Sequence, residues 1–354
     1  MGDLKLMKGN EAMAEAMIRA GCDAYFGYPI TPQSEVLEYL SREATQRTGM
    51  VALQAESEVA AINMIYGAAG CGKRVMTTSS SPGISLMQEG LSYIAGAELP
   101  CLLANVNRGG PGLGTIQPSQ ADYFQSVKGG GHGDYKLIVL APSSVQEMVD
   151  FVKLGFELGE KYRNPVMMLT DGAVGQMMEK VVLFDQIERK TGEAPEWATT
   201  GKPKGKDRRY ITSLHIQPEQ MEAINQRLQS KYREIEEKEV RYQTINTDDA
   251  EYIFTGFGLG ARICQKAMEL GREKGYKIGL IRPITLYPFP VELFKETAGR
   301  VKGILDVEMN AGQMVEDVRL SVEGATRVEF YGRMGGVIPS PEEILENFEK
   351  IFIK

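Results

Sequence analysis

Apolar runs that alternate with helical segments constrain the fold of this chain more than any other feature of its sequence. Residues 99–106, 137–141 and 165–170 are almost entirely apolar, as strands covered on both faces of a sheet should be. Segments such as residues 11–20 and 56–70 instead carry apolar side chains on one or more helical faces. Strands that alternate with helices in this way predict an α/β fold, with a parallel sheet wrapped by helices on both faces.

The length of the chain and a change in its composition predict two domains. A chain of 354 residues exceeds what one hydrophobic core usually serves. Residues 1–185 are expected to form the larger α/β domain. Residues 186–248 begin with a segment rich in glycine, proline and charge and continue into an amphipathic surface helix, so they are predicted to be a linker. Residues 249–354 repeat the alternation and are predicted to be a smaller α/β domain.

The composition excludes several classes of site and partner. A net charge of -7 and a pI near 5.3 give no broad basic face for a nucleic acid. The four cysteines are far apart, without a Cys-x-x-Cys pair, and only two histidines are present, so neither a cysteine-ligated iron–sulfur cluster nor a histidine-built metal site is predicted. No signal-peptide pattern is evident, and no apolar run reaches the roughly 18 residues that a membrane span needs. We therefore expect a soluble cytoplasmic protein without membrane contact.

Residues 25–35, with the sequence YFGYPITPQSE, place a threonine between two prolines. Pro29 and Pro32 cannot donate backbone hydrogen bonds and keep their neighbours out of the helical region, so this turn between a short strand and a helix is predicted to be stiff and extended. Thr31 is therefore predicted to be presented rather than buried, and Ser34 or Thr31 could cap the helix. Ligands of open α/β sheets bind at such turns, although a plain connection has the same pattern.

A long glycine-rich loop follows one of the apolar runs. It covers residues 107–120, NRGGPGLGTIQPSQ, and is followed by GGGHGD at residues 129–134. Loops of this length in compact domains are usually functional or disordered. Arg108 places a positive charge at the predicted carboxyl end of a strand. A phosphate-binding P-loop is not predicted, because in the nearest match Arg74 stands where that loop needs a hydroxyl group.

Glu58 and the glycines that begin at residue 256 each allow two interpretations. Glu58 lies in the first turn of an apolar helix, where a carboxyl group sheltered from water can share a proton with a ring nitrogen. The alternative is a glutamate that stabilises the helix dipole. Residues 256–261, GFGLGA, fit the dinucleotide fingerprint, but the next strand ends in Arg282 rather than in the acidic residue that would hold an NAD ribose. Close helix-to-strand packing is therefore preferred over NAD binding.

Five motifs occur along the chain: YPITP at residues 28–32, ESEVAA at 56–61, SSSPG at 79–83, RGGPG at 108–112 and RPITLYPFP at 282–290. Together they resemble the α subunit of 2-oxoacid:ferredoxin oxidoreductases. They occur in the family's order, and the resemblance runs from about residue 8 to the C-terminus. The glycine-rich loop is most similar to the 3-methyl-2-oxobutanoate (2-ketoisovalerate) branch, and the 2-oxoglutarate branch is the alternative.

This resemblance implies a thiamine diphosphate (TPP) enzyme divided between chains, in which this chain supplies a pyrimidine-binding domain and a transketolase C-terminal-like domain. Glu58 is implied to hydrogen-bond N1′ of the TPP pyrimidine. Thr31 and Arg108 match positions that hold the carboxylate or the keto oxygen of the substrate. Four further residues are implied to line the cofactor pocket: Tyr28, Pro29, Ser80 and Ser81.

The division of labour between subunits is also implied by the resemblance. The chain lacks the Gly-Asp-Gly motif through which TPP enzymes hold diphosphate and Mg²⁺, so a partner β subunit is expected to bring both. Iron–sulfur clusters are expected only on partner subunits, which include small ferredoxin-like and γ subunits in a homodimer of heteromers. The implied reaction is the oxidative decarboxylation of 3-methyl-2-oxobutanoate to an acyl-CoA, with coenzyme A and ferredoxin as further partners. A non-catalytic scaffold subunit and a nicotinamide dehydrogenase remain the alternatives from other classes.

Overall fold

The computed structural model describes residues 3–188, 194–202, 204–205 and 207–354. Part of the predicted surface excursion at the start of the linker, residues 189–193, 203 and 206, lies outside the described residues. The first half of the chain has these elements: β1 (Asp3–Lys8), α1 (Gly9–Arg19), β2 (Ala24–Gly27), α2 (Ser34–Thr48), β3 (Val51–Gln54), α3 (Glu58–Gly70), β4 (Val75–Ser79), α4 (Ser81–Gly96), β5 (Cys101–Asn107), β6 (Ile138–Leu140), α5 (Val145–Tyr162), β7 (Pro165–Asp171), α6 (Gly172–Gln176) and β8 (Met178–Leu183).

The second half continues the alternation, and a π-helical turn at Glu349–Ile353 follows its last α-helix. Its elements are α7 (Pro218–Lys238), β9 (Tyr242–Ile245), β10 (Tyr252–Thr255), α8 (Gly258–Glu273), β11 (Ile278–Pro283), β12 (Thr285–Tyr287), α9 (Val291–Ala298), β13 (Gly303–Glu308), α10 (Met314–Val322), β14 (Arg327–Gly332) and α11 (Pro341–Phe348).

The larger sheet has seven strands in the order β12-β6-β7-β5-β4-β2-β3. Strands β2 to β7 pair in parallel, and β12 pairs with β6 antiparallel. Every residue of β4, β5 and β7 is buried, because helices cover both faces of the sheet. Helices α1, α2 and α5 pack together, and α3 packs against α4. This architecture follows from apolar strands that need cover on two sides.

The smaller sheet has five strands in the order β14-β13-β10-β11-β9, with only β9 antiparallel to its neighbour. A separate ribbon pairs β1 with β8. A second core lies between the smaller sheet and helices α8 and α11, where it contains Phe254, Ile278 and Phe348. The predicted fold class, a large α/β domain with a parallel sheet followed by a smaller α/β domain, is confirmed.

Two short strands pair across the predicted domain boundaries. Strand β12 comes from residues 249–354 but extends the larger sheet, and β9 comes from the predicted linker but extends the smaller sheet. This pairing could not be predicted from the sequence, because strands of three and four residues are too short for a clear period-two pattern. The boundaries at residues 185 and 248 stay predictions.

The structure also tests two local predictions. The predicted side-chain cap of α2 by Ser34 or Thr31 is wrong, because Gln33 occupies the N-cap position and no side chain caps the helix there. The packing role of the glycines after β10 is confirmed. A Cβ atom added to Gly256 would lie 2.8 Å from the backbone oxygen of Val307, so a larger residue would push α8 away from the neighbouring strand.

Candidate active site

The predicted site residues follow four neighbouring strands at one edge of the larger sheet. Thr31 follows β2, Glu58 follows β3, Ser80 and Ser81 follow β4, and Arg108 follows β5. These strands are parallel and adjacent in the order β5-β4-β2-β3. Because the carboxyl ends of parallel strands meet at one edge, the fold gathers these segments in one place.

Glu58 is the first residue of α3, where Ser57 caps the helix by accepting a hydrogen bond from the Ala60 amide. Its side chain is only 6% exposed, and its carboxylate accepts no hydrogen bond from the described residues. A Cβ atom added to Gly83 would lie 2.5 Å from Glu58 Oε1, so the carboxylate lies directly against the first turn of α4. A buried carboxylate without a partner costs free energy unless a bound molecule supplies the missing donor.

The turn at residues 79–83 connects Glu58 with Arg108. Ser79 and Ser80 are fully buried, and their hydroxyl groups have no hydrogen-bond partner among the described residues. The position of a Cβ atom on Gly83 would be 2.1 Å from Ser79 Oγ. On the other side of the turn, Ser81 Oγ accepts a hydrogen bond of 3.0 Å from the Arg108 amide. One turn therefore contacts both the carboxylate and the residue that carries the guanidinium.

Arg108 is buried, with 7% of its surface exposed, and no carboxylate among the described residues pairs with it. Its Nη1 donates to the Thr31 carbonyl oxygen over 3.0 Å, and its Nη2 donates to the Leu113 carbonyl oxygen over 3.3 Å. Its Nε has no partner within the part of the chain that the structure describes. A guanidinium held by two carbonyl groups but lacking a counter-ion keeps further N–H groups free to bind a carboxylate.

Thr31 is exposed, as the two flanking prolines predict. The peptide bond between Thr31 and Pro32 is cis. Tyr28 and Pro29 are also exposed in the same turn, and the Tyr28 carbonyl oxygen accepts a hydrogen bond of 3.4 Å from the Gln33 side chain. The turn thus presents Thr31 next to the guanidinium that binds its carbonyl group.

The sequence did not predict a polar network at the two ends of the glycine-rich loop, residues 107–120. Asn105 Nδ2 donates to Asp122 Oδ2 over 2.8 Å, and burial raises the pKa of Asp122 against the opposing hydrogen bonds from Ser81 and Asn105. Asn107 Nδ2 is buried without a partner among the described residues. A usable signal was present, because Asn105 and Asn107 interrupt an otherwise apolar strand.

The Arg108 loop is also anchored by the smaller domain, which the sequence did not reveal. Gln120 is 2% exposed, and its Nε2 donates to the Phe257 carbonyl oxygen over 2.7 Å. Its Oε1 accepts a hydrogen bond of 3.0 Å from the Met309 amide. A Cβ atom on Gly109 would lie 2.9 Å from the carbonyl carbon of Gly335. The smaller domain thereby fixes the loop that carries Arg108.

Two family models match nearly the whole chain. The model described as pyruvate flavodoxin/ferredoxin oxidoreductase, thiamine diP-bdg, matches residues 15–248. The model described as pyruvate:ferredoxin oxidoreductase core domain II matches residues 250–344. The chain belongs to the 2-oxoacid:ferredoxin oxidoreductase family. The resemblance drawn from the five motifs is therefore confirmed, and with it the assignment to an oxidoreductase subunit.

Relatives of this oxidoreductase subunit include members of both branches considered above. It is 47% identical over 348 residues to ketoisovalerate oxidoreductase subunit VorB of Methanothermobacter thermautotrophicus, covering 98% of this chain and 97% of the relative. It is 37% identical over 363 residues to 2-oxoglutarate synthase subunit KorA of Methanocaldococcus jannaschii, covering 96% and 98%. The resemblance to the ketoisovalerate branch is thus supported by the higher identity.

Solved structures agree with this family assignment. A 2-oxoglutarate:ferredoxin oxidoreductase from Magnetococcus marinus with 2-oxoglutarate, coenzyme A and succinyl-CoA bound has a TM-score of 0.87 at 28% identity. The match covers 99% of this chain and 65% of that chain. An inactive tetramer of a split-gene transketolase has a TM-score of 0.61 at 12% identity, covering 97% of both chains. The second likeness shows the fold alone.

The family description names thiamine diphosphate binding, and the groups at the edge of the larger sheet are compatible with a bound polar cofactor. Glu58 offers an unpaired carboxylate, and the buried hydroxyl groups of Ser79 and Ser80 have no partners among the described residues. The described part of the chain contains no group of three or more His, Cys, Asp or Glu side chains that could hold a metal ion. Within the same residues, none of the helices is long and apolar enough to span a bilayer.

Proposed function

We propose that this chain is the pyrimidine-binding half of the active site in a TPP-dependent enzyme that oxidatively decarboxylates 3-methyl-2-oxobutanoate. The products are an acyl-CoA and carbon dioxide, and ferredoxin accepts the electrons. The observation that carries the proposal is the sheltered carboxylate of Glu58, which has no partner among the described residues and is connected by the turn at residues 79–83 to an unpaired Arg108.

Each residue has a role that its surroundings permit. Glu58 exchanges a proton with N1′ of the aminopyrimidine, because its carboxylate is shielded from water and free of competing donors within the described chain. Arg108 binds the substrate carboxylate through its remaining N–H groups, and Thr31 holds the keto oxygen. Bound TPP supplies the carbon nucleophile and the electron sink for decarboxylation. Tyr28, Pro29, Ser80 and Ser81 line the pocket around it.

The other end of the cofactor is assigned to a partner β subunit. Helices α3 and α4 pack against each other, and each exposes two large apolar side chains that a partner subunit could cover. They are Val59, Met64, Leu86 and Tyr93. A partner that covers this face would bring the diphosphate and Mg²⁺ to the site, and the relatives are indeed named as subunits. Iron–sulfur clusters, small ferredoxin-like and γ subunits, ferredoxin and coenzyme A complete the proposed assembly, a cytoplasmic homodimer of heteromers.

The branched-chain substrate is favoured by identity to VorB, which exceeds identity to KorA by ten percentage points, 47% against 37%. The 2-oxoglutarate reaction is the second candidate, because the solved structure most extensively matched above contains 2-oxoglutarate. Turnover of the co-purified complex with 3-methyl-2-oxobutanoate, pyruvate and 2-oxoglutarate would rank these substrates.

The decisive variant is Glu58→Gln in the reconstituted complex. An amide of the same size cannot exchange the proton, so we expect the rate of 2-oxoacid-dependent acceptor reduction to fall by a factor of about 10² or more, while the subunits still assemble. Glu56→Gln is the matched control, because Glu56 is exposed in the same segment. Turnover by the Glu58→Gln complex at the rate of the control would refute the proposed half-site, as would a wild-type complex that turns over no 2-oxoacid.

A further inference from the structure

The loop that carries Arg108 exposes two large apolar side chains. Leu113 is 84% exposed and Ile116 is 56% exposed. The Leu113 carbonyl oxygen binds Nη2 of Arg108, while Nη1 of the same guanidinium binds Thr31. The Ile116 carbonyl oxygen and the Pro32 ring lie 3.7 and 2.9 Å from the position of a Cβ atom on Gly172, so both are close to the carboxyl end of β7. Leu113 and Ile116 therefore belong to a loop whose backbone contacts Arg108 and approaches the turn that contains Thr31.

This loop holds its side chains on a fixed backbone. Gly109 donates its amide hydrogen to Gln117 over 3.0 Å, and its carbonyl oxygen accepts a hydrogen bond of 2.8 Å from Thr115. A Cβ atom on Gly114 would lie 1.8 Å from the Gly109 oxygen, so the loop is closed tightly on itself. The anchor at Gln120 fixes its end to the smaller domain. Apolar groups on such a rigid loop can discriminate between substrates by shape and polarity.

The loop at residues 107–120 has only enough positive charge to bind one carboxylate group of a substrate. Arg108 is the only cationic side chain in residues 107–120. Residues 107–120 contain no second cation that could pair with the distal charge of a dicarboxylate, and an unpaired charge against apolar side chains is costly.

From these observations we infer that Leu113 and Ile116 determine specificity, selecting 2-oxoacids with one carboxylate and a branched apolar side chain over dicarboxylic 2-oxoacids. This inference rests on the proposed function and deepens it. The two residues contact the part of the substrate beyond the 2-oxo carbon, while Arg108 binds the carboxylate next to it. Selection therefore resides in the same loop that supplies the guanidinium.

The test compares kcat/KM for 3-methyl-2-oxobutanoate and for 2-oxoglutarate in the reconstituted complex. Leu113→Lys and Ile116→Lys each replace an apolar contact by a cation that can pair with a distal carboxylate. We expect each change to lower the ratio of the two kcat/KM values, branched acid over dicarboxylate, by a factor of about 10 or more. Leu113→Ala, which only removes the contact, should lower kcat/KM for the branched acid alone. Leu320→Lys is the matched control, because Leu320 is 71% exposed on helix α10, outside the loop at residues 107–120.

An unchanged ratio in both lysine variants, with turnover retained, would overturn the inference. Equal losses for both acids would also overturn it, because they would show that the loop residues serve folding or assembly rather than selection. The proposed function fails in a different way, namely when the wild-type complex turns over neither acid. The two failures are therefore distinguishable in one set of assays.

Discussion

Gly83 shows how one missing side chain shapes the candidate site. The residue is in the first turn of α4 with an ordinary helical backbone, so its φ angle does not require glycine. The space around it nevertheless favours glycine, because a methyl group there would meet Ser79 Oγ at 2.1 Å and Glu58 Oε1 at 2.5 Å. Both contacts are ends of side chains that can rotate away. The fold can therefore accept an alanine, but only by displacing the carboxylate on which the proposed chemistry depends.

We accordingly predict that Gly83→Ala reduces activity far more than stability. Displacement of a catalytic group by about 1 Å can cost a factor of about 10² in rate, whereas overpacking at this site should cost about 1–3 kcal/mol of unfolding free energy. Turnover of the complex and urea unfolding of the chain measure the two effects. Gly67→Ala on α3, where nothing lies within 4 Å of the added Cβ atom, should instead stabilise the chain by up to about 1 kcal/mol. Full activity of the Gly83→Ala complex would contradict the placement of Glu58.

At the scale of elements, helices α1 and α2 are joined by a buried carboxylate. Glu15 is 1% exposed and accepts hydrogen bonds of 2.6 Å from both Arg19 and Arg47, and one of 2.9 Å from Tyr39. Burial alone would raise the pKa of Glu15, but the bonds from Arg47, Arg19 and Tyr39 outweigh it and lower the pKa below its ordinary value of 4.5. The ionised form is thus the one that stabilises the packing of the two helices.

Glu15→Gln should therefore destabilise the chain by about 3 kcal/mol at pH 7, the lower end for breaking a buried ion pair, because its arginine partners are partly exposed. The folded-state pKa is depressed, so the contribution of Glu15 is present above its unfolded pKa and is lost as the pH falls through the folded pKa. Urea unfolding at pH 7 and below pH 4 should show the difference between variant and wild type shrinking in acid. Glu38→Gln, at an exposed position of α2, should change little at either pH.

At the scale of the whole molecule, Asp171 connects the larger sheet with the smaller domain. It ends β7 and is 2% exposed. Its Oδ1 accepts hydrogen bonds of 2.8 Å from Ala173 and 3.1 Å from Val174, and the carboxyl group also accepts one from the Leu259 amide at the start of α8. Burial raises the pKa of Asp171 to about 6, against the effect of these hydrogen bonds. The folded chain thus binds a proton here more readily than the unfolded chain does.

The raised pKa of Asp171 determines whether its contribution to the stability of the folded chain rises or falls with pH. Between the ordinary pKa of 3.8 and the folded value of about 6, the folded state holds more protons, so this group's contribution to stability falls as the pH rises through that window and is constant above it. Asp171→Asn removes the titration. We therefore expect the stability of the wild type relative to this variant to be greater at pH 4.5 than at pH 7.5, as measured by urea unfolding at both values. A difference that grows with pH would contradict the burial of this carboxyl group.

Those parts of the fold and of the candidate site that depend on local sequence patterns and on motifs could be predicted from the sequence. Apolar runs and helical periodicity are local properties, so the parallel sheet and the order of its helices followed from them. The prolines around Thr31 predicted its exposure for the same reason. The anchor at Gln120 could not be predicted, because its partners Phe257 and Met309 are more than a hundred residues away in the chain. The unpaired state of Glu58 likewise depends on how α3 and α4 meet, which no local pattern encodes.

Because β9 and β12 pair across the predicted domain boundaries, the two domains cannot be expressed separately without removing a strand from each sheet. If the chain were divided at residue 248, where composition suggests a boundary, β9 would remain with the upstream polypeptide and β12 with the downstream one. The smaller sheet would then lack β9, and the larger sheet would lack β12. Each product would expose the sheet edge that its lost strand had occupied, and bare edges invite aggregation. The properties of either fragment expressed alone would therefore differ from those of the intact subunit. Any truncated variant should retain residues 242–287 together with the strands of both sheets.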